Sequence, residues 1–368
     1  MNDDILEYLY LYILSLLPVR RLSTFDEWLC KAGSFEKIYY ANEQRLAEFG
    51  LGLELIIKWQ KIKNENPIEK LMKSVEQTGV KVLPYFDSQY PKILKEIYDA
   101  PPVLFYRGQL SSNDELCIGI VGSRKMSSYG AMAVPRIAEP LIRAGITIVS
   151  GLAYGIDSAA HAESVKHRAR TIAVLGSGVD TGSLYPRGHC RLAEQILDYG
   201  GLIISEQPPG MPGLKQNFIA RNRIIAGLSL GVVIVEAKKK SGALLTADYA
   251  LDFNRSLYAV PGPIHSSLSD GPHSLIKTGA TLVTSGEEIL EELELSLPVL
   301  THNLAKSRTK SFTETEQLML KCMQGAGINI NRLAELTKID AKEIMQTLTK
   351  LELKGIIKKV GSENFTKV

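Results

Sequence analysis

The sequence predicts an α/β protein: an extended Rossmann-like, doubly wound parallel sheet, with a small all-helical N-terminal domain and a C-terminal winged helix. Three observations predict it. Seven short apolar, β-branched runs recur between residues 117 and 284, each followed by a Gly-containing turn and a helix-length stretch. Runs this apolar suit strands covered on both faces, and strands alternating with helices form parallel sheets. Residues 1–80 instead carry apolar positions at helical spacing, and residues 313–368 read as three helices and a hairpin.

In chain order, Ile5–Leu16 and Leu53–Ile62 show the helical repeat, with Ser34 and Asn66 as expected N-caps and Pro67 as first helical residue after Asn66. Trp28 and Trp59 are expected in the core of this helical domain, 1–80. Residues 81–110 are rich in Pro and Tyr and read as an approach segment. The sheet-bearing core, 81–295, then holds the runs Cys117–Val121, Ile146–Val149, Thr171–Leu175, Leu202–Ser205, Val232–Glu236, Leu257–Val260 and Thr281–Thr284. Residues 296–312 are polar, basic and aperiodic, hence a linker. In the domain 313–368, Thr313 and Glu316 form an expected capping box. Asn329–Thr337 and Ala341–Lys354 fit a helix-turn-helix pair, with Lys342 and Lys350 on its second helix.

The chain has 368 residues, 45% hydrophobic and 23% charged, with a formal net charge of +3. That composition excludes wholesale disorder, collagen and coiled coil. The charge is unevenly spread: residues 1–100 are net −2, residues 101–286 net +5, and residues 298–368 net +5, while five Glu crowd Glu287–Glu294. A small total is therefore compatible with a local cationic groove. Cys30, Cys117, Cys190 and Cys322 have no paired spacing, which argues against a disulfide framework or a zinc site. The acidic start and the absence of a membrane-length apolar run point to a cytoplasmic protein without a membrane role.

The chemistry-bearing residues fall at predicted strand ends. Gly122-Ser123-Arg124 ends the first run and precedes a helix, the phosphate-binding position of a Rossmann sheet, yet it matches neither the dinucleotide fingerprint nor a P-loop. Ser150, Gly151, Asp157 and His161 follow the second run. Ser150, Asp157 and His161 invite a hydrolase triad, but no Gly-x-Ser-x-Gly elbow accompanies them, and His161 reads as a half-buried helix residue. Gly176-Ser177-Gly178 and Tyr185-Pro186-Arg187 follow the third. Lys215, Phe218, Arg221, Asn222 and Arg223 combine cations with an exposed aromatic ring, the pairing a single-strand groove uses for phosphates and bases. One of Arg221 and Arg223 is expected to anchor to Glu206 or Glu236 instead. Lys238, Lys239, Lys240 and Ser241 follow the fifth run.

Read as an ordered series, GSR, SGLAYGIDSAAH, GSGVD, YPR, ARNRIIAGLS, EAKKKSGALLTA, VPG and SLIKTGA resemble the DNA-processing protein A (DprA/Smf) family over residues 80–290. The resemblance implies a cytoplasmic bacterial protein that binds single-stranded DNA without sequence preference. It implies protection of incoming DNA in natural transformation, loading of the RecA recombinase, a homodimer through the core, and no catalysis or cofactor. Arg124 and Arg187 match the family's DNA-contacting cations, and Lys215 matches at a point of variable spacing. Two departures are Ile219, where Pro often stands, and His273, where Asn is usual. The expected DNA-binding set is Gly122, Ser123, Arg124, Gly151, Arg187, Lys215, Phe218, Arg221, Asn222, Arg223, Lys240 and Ser241, with no catalytic or metal residues. Two alternatives stay open: a nucleotide enzyme of the lysine-decarboxylase-like group, whose glycine run and catalytic acid are missing here, and a duplex-DNA regulator acting through the winged helix.

Overall fold

The structure, a computed structural model, describes residues 3–296, 314–323, 328–353, 357–360 and 364–367. It divides into two compact units, Met1–Glu292 and Leu293–Val368.

The first unit starts with six helices: α1 (Asp3–Ser15), α2 (Leu22–Ala32), α3 (Phe35–Tyr40), α4 (Glu43–Phe49), α5 (Leu53–Glu65) and α6 (Ile68–Thr78). Ser34 caps α3 as expected, accepting from the Lys37 N–H. Asn66 does not cap α6. It ends α5, its side-chain amide donating to the Ile62 carbonyl at 2.9 Å, and Pro67 takes the cap position. Trp28 and Trp59 are buried. These helices share one apolar core with the sheet: Tyr12 packs edge-on against Phe105 at 5.0 Å, and the Ser74 hydroxyl donates to the Pro209 carbonyl at 3.0 Å.

The segment 81–110 holds two strands that its prolines hide, β1 (Lys81–Pro84) and β2 (Val103–Gly108), flanking the short helix α7 (Lys92–Lys95). The chain then alternates through β3 (Cys117–Val121), α8 (Ser128–Arg143), β4 (Thr147–Ser150), α9 (Ile156–Lys166), β5 (Thr171–Leu175), α10 (Cys190–Asp198), β6 (Leu202–Ser205), α11 (Lys215–Ala220), α12 (Asn222–Leu228), β7 (Gly231–Ile234), α13 (Gly242–Asp252), β8 (Ser256–Ala259), α14 (Asp270–Lys277), β9 (Thr281–Leu282) and α15 (Gly286–Ser296). The nine strands lie in the order β1-β2-β6-β5-β4-β3-β7-β8-β9. From β6 to β9 every neighbour is parallel, and β1 and β2 extend the sheet antiparallel. Every residue of β3, β4, β5, β6 and β7 is buried, as strands covered on both faces require.

The second unit contains α16 (Glu314–Cys322), β10 (Ile328–Asn329), α17 (Ile330–Thr337), α18 (Ala341–Leu353), β11 (Ile357–Val360) and β12 (Asn364–Lys367). β11 and β12 pair antiparallel, and β10, which the sequence did not suggest, adds to β12. Met319, Leu333, Ile344, Leu348, Leu351 and Phe365 build its own core. Thr313, the expected cap, and linker residues 297–312 lie outside the described residues. No described helix is long and apolar enough to cross a membrane.

Candidate functional site

β3 and β7 are neighbours, with Val121 paired to Ile234, although β4, β5 and β6 separate them in the chain. The winding reverses there, and open parallel sheets bind ligands outside the strand ends at such a switch. The expected phosphate position, the start of α8, is already filled. Glu236, just beyond β7, turns its buried carboxylate into that helix end. Its Oε2 accepts from the Ser127 N–H at 3.0 Å, and its Oε1 accepts from the Ser127 hydroxyl. The Ser123 N–H donates to the Glu236 carbonyl at 2.7 Å, closing the two loops on each other. The free amides and positive dipole end that would hold a pyrophosphate therefore serve a protein carboxylate.

The opening lies one step outward, as a groove of about 980 Å³ between Ser123–Lys125, Lys215–Phe218 and Lys238–Ser241. Six exposed cations line it: Arg124, Lys125, Lys215, Lys238, Lys239 and Lys240. Among the described residues none of the six is held in an ion pair, and the exposed acid on the wall is Asp248. Ser241 caps α13, accepting from the Ala243 N–H at 3.3 Å, and Ser241, Gly242 and Ala243 all face the groove. The positive end of an 11-residue helix thus adds to the lysines.

Phe218 stands at the meeting of this groove and a small adjoining pocket lined by Arg124, Gly151, Ala153, Tyr154, Tyr185 and Pro186. Its half-buried ring lies 5.3 Å from that of Tyr185 and 5.4 Å from the Arg124 guanidinium. The ring seats closely against two backbone turns, since a Cβ added at Gly176 or Gly213 would approach it to 2.7 Å.

Arg221 and Arg223, of which one was expected to be an anchor, are both anchors. Arg221 is buried 3.6 Å from Asp157 and donates to the Gly151 and Val174 carbonyls and, at 3.0 Å, to Asn222 Oδ1. Burial lowers its pKa to about 10 against the pull of Asp157, so it stays charged at neutral pH. Burial pushes Asp157 up, while Arg221 and the amides of Gly122, Ala153 and Gly151 hold it down. Arg223 forks onto Glu206 at 2.6 and 3.0 Å and reaches Asp99 at 3.2 Å. Burial alone would lower its pKa, but Glu206 and Asp99 more than reverse that. Asn222 spends its amide on the Gly242 carbonyl at 3.0 Å. Arg221 and Asn222 touch the groove wall as buried supports, and Arg223 lies away from it. Gly122 and Gly151 are packing sites: a Cβ would come within 2.7 Å of Ile156 at the first and 2.1 Å of the Arg221 guanidinium at the second. Arg187 is exposed but bends back onto the Thr181 and Gly182 carbonyls and lines neither cavity.

A family profile described as DNA recombination-mediator protein A matches residues 81–294, the whole sheet and groove. The chain belongs to this family. It is 40% identical over 298 residues to Protein Smf of Escherichia coli K12, covering 79% of this chain and 78% of that protein. It is 47% identical over 208 residues to the DNA processing protein DprA of Streptococcus pneumoniae R6, covering 56% and 72%. The X-ray structure of S. pneumoniae DprA superposes with a TM-score of 0.65 at 36% identity, covering 77% of this chain and 97% of that one. A Helicobacter pylori DNA processing protein A structure, described for its single-stranded DNA binding mode, gives a TM-score of 0.52 at 27% identity, covering 59% and 96%.

Within this recombination-mediator fold the apparent triad is structural. The Ser150 hydroxyl donates to the Ile120 carbonyl at 2.6 Å, and Asp157 faces Arg221. His161, expected half-buried, is fully buried, with Nδ1 2.8 Å from Thr171 Oγ1. His273, the departure from the usual Asn, joins α14 to the preceding loop, its Nε2 3.0 Å from the Gly262 carbonyl. Sequence reasoning missed Lys125, signalled only by following Arg124, and the ring of Tyr185. It also missed Glu236 as the carboxylate that holds Ser127, the cap of α8, which no local pattern reveals.

Proposed function

We propose that this recombination mediator binds single-stranded DNA without sequence preference in the groove between β3 and β7. On this reading it protects the strand and helps load RecA recombinase onto it. The observation that carries the reading is six exposed cations, unpaired among the described residues, that line one groove together with a half-buried aromatic ring. Cations that meet no protein carboxylate suit a polyanion, and a ring beside them suits an unstacked base. The H. pylori relative, described by its single-stranded DNA binding, supports the same ligand class. Arg124, Lys125, Lys215 and Lys238–Lys240 hold phosphates, Phe218 stacks a base, and the end of α13 adds amide donors. Gly122, Gly151, Arg221, Asn222 and Arg223 keep the walls in place.

The protein acts as a binder rather than an enzyme, because the candidate nucleophile, acid and imidazole all serve the fold. A small-nucleotide enzyme is disfavoured by Glu236, which fills the site such a ligand would use. We read the second unit as a winged helix, with Lys350 exposed on α18. A homodimer through the sheet-bearing unit would have an available edge at β9, where Leu282 is exposed.

Competition gel shifts with single-stranded and duplex oligonucleotides test the reading. Single strands of any sequence should bind in preference to duplex. Phe218→Ala should weaken them by about 1–3 kcal/mol, the worth of one base stack. Equal binding of duplex, or an unchanged Phe218→Ala, would remove the groove from this role.

A further inference from the structure

On the sheet edge opposite the groove, the last turns of α8 and α9 bring together Glu139, Glu163 and His167. Two carboxylate oxygens and one imidazole nitrogen, one from each residue, lie within 4.8 Å of one another. We propose that these three residues form a binding site for a first-row divalent cation of the zinc type, which clamps α8 to α9.

Glu163 and His167 are one helical turn apart, so both face α8, and His167 Nε2 lies 3.0 Å from Glu163 Oε1. Glu139 reaches across from α8. Glu163 is the buried member, its side chain only 8% exposed, so its carboxylate needs a countercharge. That charge now comes from the rim. The Lys166 ammonium stands 2.8 Å from Glu163 Oε1. Arg143 pairs with Glu139 at 2.5 Å. These cations are 64% and 71% exposed, so a metal ion can return them to water without leaving a buried charge behind.

Two carboxylates and an imidazole suit zinc and its first-row neighbours, and three protein ligands leave a fourth position for water. Binding requires the His167 Nε2 lone pair, so a proton bonded there must leave or shift to Nδ1. The clamp would join the two helices whose other ends carry the Ser123–Arg124 and Gly151–Gly155 loops. Glu139 and His167 each stand 11 residues beyond the start of their helix, which sets those loops roughly 17 Å away. The site stands independently of the DNA reading.

The test is zinc titration of the metal-stripped full chain against a chromophoric chelator, with Co²⁺ absorption as a reporter of ligand type. The wild type should bind an ion that His167→Ala and Glu139→Gln each weaken by at least the ~10–100-fold that losing even an outer-shell partner costs. Lys166→Gln should bind it more tightly, because the competing ammonium is gone. The Co²⁺ spectrum should lack a thiolate band, since the four cysteines are free and stand elsewhere. Circular dichroism confirms that each variant is folded. No binding by the wild type, or binding that these three substitutions leave unchanged, would overturn the proposal; so would a thiolate spectrum.

Discussion

At Gly151, an added Cβ would lie 2.1 Å from the guanidinium of Arg221, which is itself fixed by Asp157, Asn222 and two carbonyls. Gly151→Ala therefore displaces a buried cation and leaves Asp157 unpaired. Breaking a buried pair costs about 3–5 kcal/mol, and urea unfolding should show a loss of that size. A loss below about 1 kcal/mol would mean that Arg221 has another place to go. The same residues show where sequence reading stops. Arg221 and Arg223 look alike in the chain, two cations at a helix start. Only the three-dimensional positions of Asp157, Glu206 and Asp99 reveal that both are bound to the protein. Arg124, in contrast, keeps no carboxylate partner among the described residues and rests on Phe218. A base stacking on that side of the ring must displace it, and a phosphate within reach gives it a new partner.

At the scale of elements, α9 carries His161 into the sheet. Burial, the largest cause, holds the imidazole pKa down to about 3. The unfolded chain takes up this proton near the ordinary value of 6.5 and the fold does not, so stability is full above that pH. Below it, stability falls by about 1.4 kcal/mol per pH unit until the folded group also titrates. Between pH 7 and pH 5 the wild type should lose about 2 kcal/mol more than His161→Gln. Chemical denaturation at the two pH values checks this, and equal losses would mean that the imidazole takes up its proton as readily in the fold as in the unfolded chain. The legibility of elements follows the same physics. β3 to β7 were readable because strands buried on both faces must be apolar throughout. β1 and β2 were not, because Pro84, Pro101 and Pro102 bracket short runs at the antiparallel margin. The role of Glu236 was invisible because its partner Ser127, the cap of α8, stands 109 residues earlier in the chain.

For the whole molecule, a net charge of +3 conceals a groove where six exposed cations meet one exposed acid. The strand order creates it, since β3 and β7 are brought together across the switch point and their loops face each other. The charge gradient along the sequence marked residues 101–286 and 298–368 alike, and convergence on one opening needed the fold. The central claim is that these cations neutralise phosphates of a single strand, and its most direct measurement is the salt dependence of oligonucleotide affinity. If all six engage, log affinity should fall with log salt at a slope approaching about −4, at roughly 0.7 per phosphate. Arg124→Ala and Lys240→Ala should each flatten it by about 0.7, and the double variant by about twice that. A slope near zero, or one that these substitutions leave unchanged, would contradict the account.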